Sequence, residues 1–362
     1  MGIGLPLLQT LTVSQLRAVL AHEFGHYYSG DTKLGPLIHR TNSAIGRSLR
    51  SLARHNSILQ LPFQWYGKLF LRITHAISRR QEFVADELAA RTVGARAMIT
   101  GLQAVHCGAM AFDAYWGGEV VPVLNSGNRP PLAEGFSHFV GTEHVSQAVK
   151  RSLEASLKQV KSDLYDTHPS LPERIAALKQ FPLDDLPAAD PQAVELVDGL
   201  PALEREMLVA LTDREKVAGL KPMPWSEAAL SAYLPVWQKV ARSEAEALQG
   251  VTPETLPVIA QHLSAFAQTL ARAQERDTPF EEPHKLQGLA LSVLGSALVA
   301  TLYDHGWELS ALPGEPIYAR KDEHVIKVFD AIADLAADEL LADAWLRECA
   351  AAGISKLDLG RV

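Results

Sequence analysis

Cysteine is nearly absent: Cys107 and Cys349 are the two in 362 residues, and they stand far apart with no C-x-x-C spacing. A disulfide framework and a cysteine-ligated metal site are thereby excluded, and a reducing compartment fits. The opening stretch MGIGLPLLQTLT lacks the basic start and small-residue cleavage site of a secretory signal peptide. No repeat of fixed period is present, which sets aside solenoids and propellers. Acid is missing from Thr32 to Arg80, where nine Lys or Arg residues occur, leaving 25 basic against 42 acidic groups in the remainder. With a net charge of −8, nucleic acid is a poor partner. The basic block encloses NSILQLPFQWYGKLFLRITHAIS, rich in aromatic and aliphatic residues. Pro62, Gly67, Lys68 and Arg72 make it a poor spanning helix, but it suits either an interfacial helix on an anionic membrane or an amphipathic hairpin packed on the domain.

Charge is also missing between Lys285 and Asp304. The 18 residues LQGLALSVLGSALVATLY are borderline in length for a membrane span. Their glutamine, serines and threonine instead predict a buried core helix, with Gly288, Ser292, Ser296 and Ala300 as a stripe of small residues open to close helix packing.

Against these absences stands His22-Glu23-Phe24-Gly25-His26. Upstream, Thr12 and Gln15 have capping-box spacing, and Leu16, Val19, Leu20 and Phe24 recur at helical intervals, so the pentapeptide lies in a helix that Gly30 is suited to stop. On a helix, residues four apart share a face at roughly 5–6 Å, so His22 and His26 can converge on one ion. Glu23 lies about 100° round, beside the ion and not on it, where a carboxylate can take a proton from water. A catalytic zinc usually has a third protein ligand. Glu82, four residues before Asp86 on an otherwise apolar helix, is the best candidate, with Asp86 accepting from the free ring N–H of a ligating histidine. The competing reading of this segment is a surface lattice of Arg79 and Arg80 with the carboxylates.

The string from Leu16 to Asp31, the downstream Glu82-to-Asp86 spacing and Thr167-His168-Pro169-Ser170-Leu171-Pro172-Glu173-Arg174-Ile175 together resemble the HtpX-like and CAAX-prenyl-protease-type zinc metallopeptidases, largely membrane-bound gluzincins. The resemblance implies one zinc ion per chain at His22, His26 and Glu82, with Glu23 as general base and Asp86 behind the ligands. It brings His168 near the reacting carbonyl or the metal, and gives Arg174 a site carboxylate or the cap of its own helix. Relatives carry transmembrane helices and a strand before the motif helix, whereas 11 residues precede Thr12, so a truncated amino terminus is expected.

The expected architecture is mainly α. It comprises a zincin-like metallopeptidase domain over residues 1–182, with a minor β element at the cleft, and an α-rich domain of unassigned role over 183–362. A proline-rich linker from Pro182 to Pro191 separates them. In the second half, helical periods recur at 191–212, 226–249, 253–276 and 326–351, and GWELSALPGEPIYARKDE reads as a short hairpin. The expected activity is endopeptidase hydrolysis of polypeptides at a bacterial-type cell membrane, with the catalytic domain facing the cytoplasm. Hydrolysis of another amide, and a non-proteolytic chaperone-like or regulatory adaptor keeping a structural zinc, are the alternatives. An intact Glu23 favours an enzyme, since a structural site has no use for a base.

Overall fold

The computed structural model describes residues 2–28, 60–158, 168–211, 214–273 and 283–361, with side chains of 60–75, 211, 214 and 271–285 left aside. Most of the basic block therefore lies outside the described residues, as does Gly30; the part from Gln60 onward is helical. The chain is mainly α and divides into two units. One comprises residues 1–113 and 146–200, the other 114–145 and 201–362.

In the first unit, α1 (Leu5–Thr10) leads into α2 (Val13–Tyr28). The capping box is present: the Thr12 N–H donates to Gln15 Oε1 at 3.0 Å and the Gln15 N–H to Thr12 Oγ1 at 3.4 Å. Both satisfy amides that a helix start leaves without partners. Then α3 (Gln60–Val93) runs to Gly94, whose φ of +117° ends it and starts α4 (Ala95–Tyr115). After α5 (Glu143–Lys158), Ser170 caps α6 (Leu171–Leu178) in a second capping box with Glu173, and Pro172 occupies the first turn. Ala18, Ala89, Ala90, Met98 and Leu178 form one core, and Leu8, Leu11, Leu16 and Ala193 another. The alanine-rich seam lets α2 and α3 lie close together.

Residues 183–200 stay with this unit because they pair back onto its beginning. The Val13 N–H donates to the Pro191 carbonyl at 2.9 Å and the Ala193 N–H to the Leu11 carbonyl at 2.8 Å, and Thr12 and Gln192 form an antiparallel bridge. A single boundary near residue 182 thus differs from the division observed. That bridge is also the whole β content of the first unit among the described residues, so no strand is found at the expected cleft.

Strands belong to the second unit: β1 (Asn128–Arg129) pairs parallel with β2 (Lys221–Pro222), and β3 (Glu308–Ser310), β4 (Tyr318–Lys321) and β5 (His324–Lys327) form an antiparallel meander. The expected hairpin gains a third strand. Its helices α7 (Leu234–Ser243), α8 (Leu263–Ala273) and α10 (Val328–Ala337) surround α9 (Pro283–Asp304), in which Val293, Leu294, Ala297, Leu298 and Leu302 are fully buried. By length and apolarity α9 could cross a membrane, yet 61% of its apolar window is buried here, as expected of a core helix. Close approach occurs at Gly295, where a Cβ would strike the Phe329 ring, whereas Gly288 faces open space.

Candidate metal centre

The geometry of the site begins at Gly25. A Cβ there would lie 2.9 Å from Ala85 Cα and 3.1 Å from Ala85 Cβ, so only a glycine lets α2 settle this deeply on α3. Ala85 is flanked by the acidic residues of interest, and the contact brings Glu82 and Asp86 against His22 and His26. The ligand atoms of His22, His26 and Glu82 all lie within 4.8 Å of one another. His22 Nε2 is 3.2 Å from His26 Nε2 and 3.6 Å from Glu82 Oε2, and His26 Nε2 is 3.6 Å from Glu82 Oε1.

Asp86, 1% exposed, accepts at Oδ1 from His22 Nδ1 at 2.9 Å. A carboxylate only accepts, so Nδ1 carries the hydrogen, and in the neutral ring Nε2 directs a lone pair at His26. His26 Nε2 stands 3.2 Å from that nitrogen; with its hydrogen on Nδ1 it adds a second lone pair, which a cation between the two rings would join. The charge balance agrees. Glu82 and Asp86 are both buried, and Arg174 supplies one positive charge to the pair. Its Nε donates to Asp86 Oδ2 at 2.8 Å, its Nη2 to Oδ1 at 2.6 Å, and its Nη1 lies 3.2 Å from Glu82 Oε2. Two buried carboxylates with one guanidinium leave a net negative charge that a divalent cation would overcome. The residues present therefore fit a zinc ion.

Burial alone would raise the Asp86 pKa, but the hydrogen bonds from Arg174 and His22 outweigh it and hold the carboxyl below its ordinary range. For Arg174 burial works downward, and the contact with Asp86 keeps its pKa above the ordinary value. Arg174 can reach both carboxylates because the Ser170–Glu173 box fixes the first turn of α6 immediately before it. The helix is thus capped by Ser170 and Glu173, and Arg174 takes the other of its two expected roles. Arg174 pairs with Asp86 directly, beside the His22 ring.

His168 comes to the same place: its Nδ1 is 3.0 Å from Glu82 Oε1 while its side chain remains 68% exposed. Glu23 is exposed on α2, next to the converging donors and close enough for its charge to act on Arg174. All seven residues singled out in the sequence meet in one region. Gly25 offers no donor and so does not show in the ligand pattern, although a glycine inside a strongly helical stretch, costing about 1 kcal/mol relative to alanine, is itself a sign of close packing.

A family model described as peptidase family M48 matches residues 2–181. The chain is 27% identical over 191 residues to a protein named Protease HtpX from Stutzerimonas stutzeri (strain A1501), covering 48% of this chain and 56% of that protein. The chain thus spans little more than half the length of this relative. No solved structure matches.

Proposed function

Residues 2–181 belong to peptidase family M48, and from this we propose that the chain is a zinc-dependent endopeptidase. The observation that carries the proposal is the convergence of His22, His26 and Glu82 from two helices onto one point. Zinc held there would supply Lewis acidity, lowering the pKa of water toward about 7 and polarising the scissile carbonyl. Glu23, exposed beside that point, takes the proton of the attacking water and returns it to the leaving amine. Asp86 holds the His22 ring in the tautomer that frees Nε2, and Arg174 fixes Asp86 and Glu82 in turn. His168, exposed and against Glu82, is assigned to the reacting carbonyl's oxygen.

The substrate is a polypeptide. The nine cations of residues 32–80 and the aromatic residues among them support attachment to an anionic membrane surface, with the catalytic unit on the cytoplasmic side. Cleavage of a quenched fluorescent peptide, with and without chelator, tests the enzyme reading against a non-proteolytic adaptor. Glu23→Gln is expected to keep one equivalent of zinc and its melting temperature while losing roughly a hundredfold or more in turnover. Wild-type turnover in that variant, or activity indifferent to chelation in the parent, would overturn the mechanism.

A further inference from the structure

Glu82 is held at both of its oxygens by residues that stand on either side of one short device. His168 Nδ1 lies 3.0 Å from Oε1, and Arg174 Nη1 lies 3.2 Å from Oε2. Between the two in the chain, the Ser170 N–H and the Ser170 hydroxyl both donate to Glu173 Oε2, at 2.9 and 3.0 Å, while the Glu173 N–H donates to Ser170 Oγ at 3.4 Å. We propose that Glu173 is a positioning residue for the metal centre: through this box it fixes His168 and Arg174 relative to each other, and so the orientation in which the Glu82 carboxylate meets an ion. This role rests on the zinc reading given above.

Capping the eight-residue α6 accounts for the box as a local device, but its two neighbours give it a second consequence. The terminal bond of a glutamate side chain is loosely restricted, so one contact leaves the carboxylate free to turn, whereas contacts on opposite oxygens hold it. Its orientation matters because each oxygen faces a different histidine: His22 Nε2 is 3.6 Å from Oε2, and His26 Nε2 is 3.6 Å from Oε1. The His168 side chain is 68% exposed, too open for packing to set its place. Its backbone is set instead by Pro169, which is buried, and by the Ser170 amide that Glu173 holds. On the other side, the Arg174 N–H donates to the Ser170 carbonyl at 3.1 Å, so both residues that hold Glu82 take their register from Ser170. Releasing the box frees that register. The ligands need a fixed geometry to within about 0.5 Å, less than a fraying first turn moves.

Chelator competition for zinc and the visible spectrum of the cobalt(II)-loaded chain test this, beside the melting temperature of the metal-free protein. Glu173→Ala is expected to weaken zinc about tenfold or more and to shift the cobalt bands, which report how the ligands are arranged. Glu173→Gln keeps an oxygen that accepts from Ser170 and is expected to restore both. Ser170→Gly disturbs a helix start little and removes the hydroxyl, so it is expected to weaken zinc in the same direction at an unchanged metal-free melting temperature. In a chain already carrying His168→Ala and Arg174→Ala, Glu173→Ala is expected to add less than about a twofold loss, because it acts through those two side chains. A lower metal-free melting temperature with parental zinc affinity and cobalt bands in Glu173→Ala would reduce the residue to a helix cap. Failure of Glu173→Gln to restore affinity, or an undiminished loss in the triple variant, would likewise overturn the proposal. A parent chain that takes up no zinc would defeat the zinc reading itself, and this role with it.

Discussion

Gly25 carries more of the metal centre than its lack of a side chain suggests. The 2.9 Å separation that a Cβ would have from Ala85 Cα cannot be relieved by a rotamer change, since the obstacle is backbone. Gly25→Ala would gain about 1 kcal/mol of helix propensity and lose about 1–3 kcal/mol to overpacking. More tellingly, it would push α2 away from Glu82 and Asp86. Zinc affinity is expected to fall at least about tenfold, as when a supporting contact behind a ligand is lost. Gly101→Ala serves as the control, because a Cβ there meets the Gln15 carbonyl oxygen at 3.4 Å and fits. Equal zinc affinity in the two variants, measured by competition with a chromophoric chelator, would remove Gly25 from this role. At this scale the donors were legible in the sequence because helical spacing alone brings His22 to His26 and Glu82 to Asp86. The partner of Asp86 was not. Arg79 and Arg80 lie near it in the chain, whereas Arg174 is 88 residues away and reaches it only through the fold.

At the scale of elements, α2 is held at its start by a local and a distant device. The Thr12–Gln15 box was readable as T-x-x-Q. The distant device, Asp190, accepts the Ser14 N–H at Oδ1 at 2.9 Å from 176 residues along the chain, and no spacing rule could find it. Against the upward push of burial, hydrogen bonds from Thr12 and Ser14 hold the Asp190 carboxyl below its ordinary 3.8. A carboxyl whose folded pKa lies below its unfolded one adds stability that is complete above about pH 4 and disappears as pH falls through the folded value. Asp190→Ala is expected to cost about 1 kcal/mol at pH 7, the usual loss for a capping carboxylate. Chemical denaturation of both proteins at pH 7 and near pH 2 checks this. The difference should shrink in acid, and a difference independent of pH would assign the loss to packing instead of the charged cap.

For the whole molecule, the division into units follows packing that composition could not reveal. The proline-rich stretch after Phe181 looked like a linker, and by sequence the boundary belongs there. Residues 114–145 nevertheless complete the second unit: Tyr115 lies 5.4 Å from the Phe136 ring, 5.5 Å from Phe139 and 6.0 Å from Trp225, centre to centre. Glu204 accepts the Leu132 and Ala133 amides at 3.2 and 2.8 Å, capping the helix Leu132–Gly141 from far along the chain. Only a glycine fits at 135, because a Cβ there would strike the Trp225 ring and the Tyr115 hydroxyl. A fragment of residues 1–182 would therefore keep every proposed zinc ligand yet lose Trp225 and Glu204, exposing Tyr115, Phe136 and Phe139 and leaving two helix-start amides without their carboxylate. It would also lose Pro191 and Ala193, which pair with the start of α2. Each large aromatic residue stripped of its packing costs about 3–5 kcal/mol, comparable with the whole stability of a domain. The fragment is expected to bind a hydrophobic dye, to unfold without a sharp transition and to hold zinc more weakly than the full chain. A cooperative melt with full zinc affinity and no dye binding would mean that residues 114–145 need nothing from the second half of the chain, and that the boundary at residue 182 is the functional one.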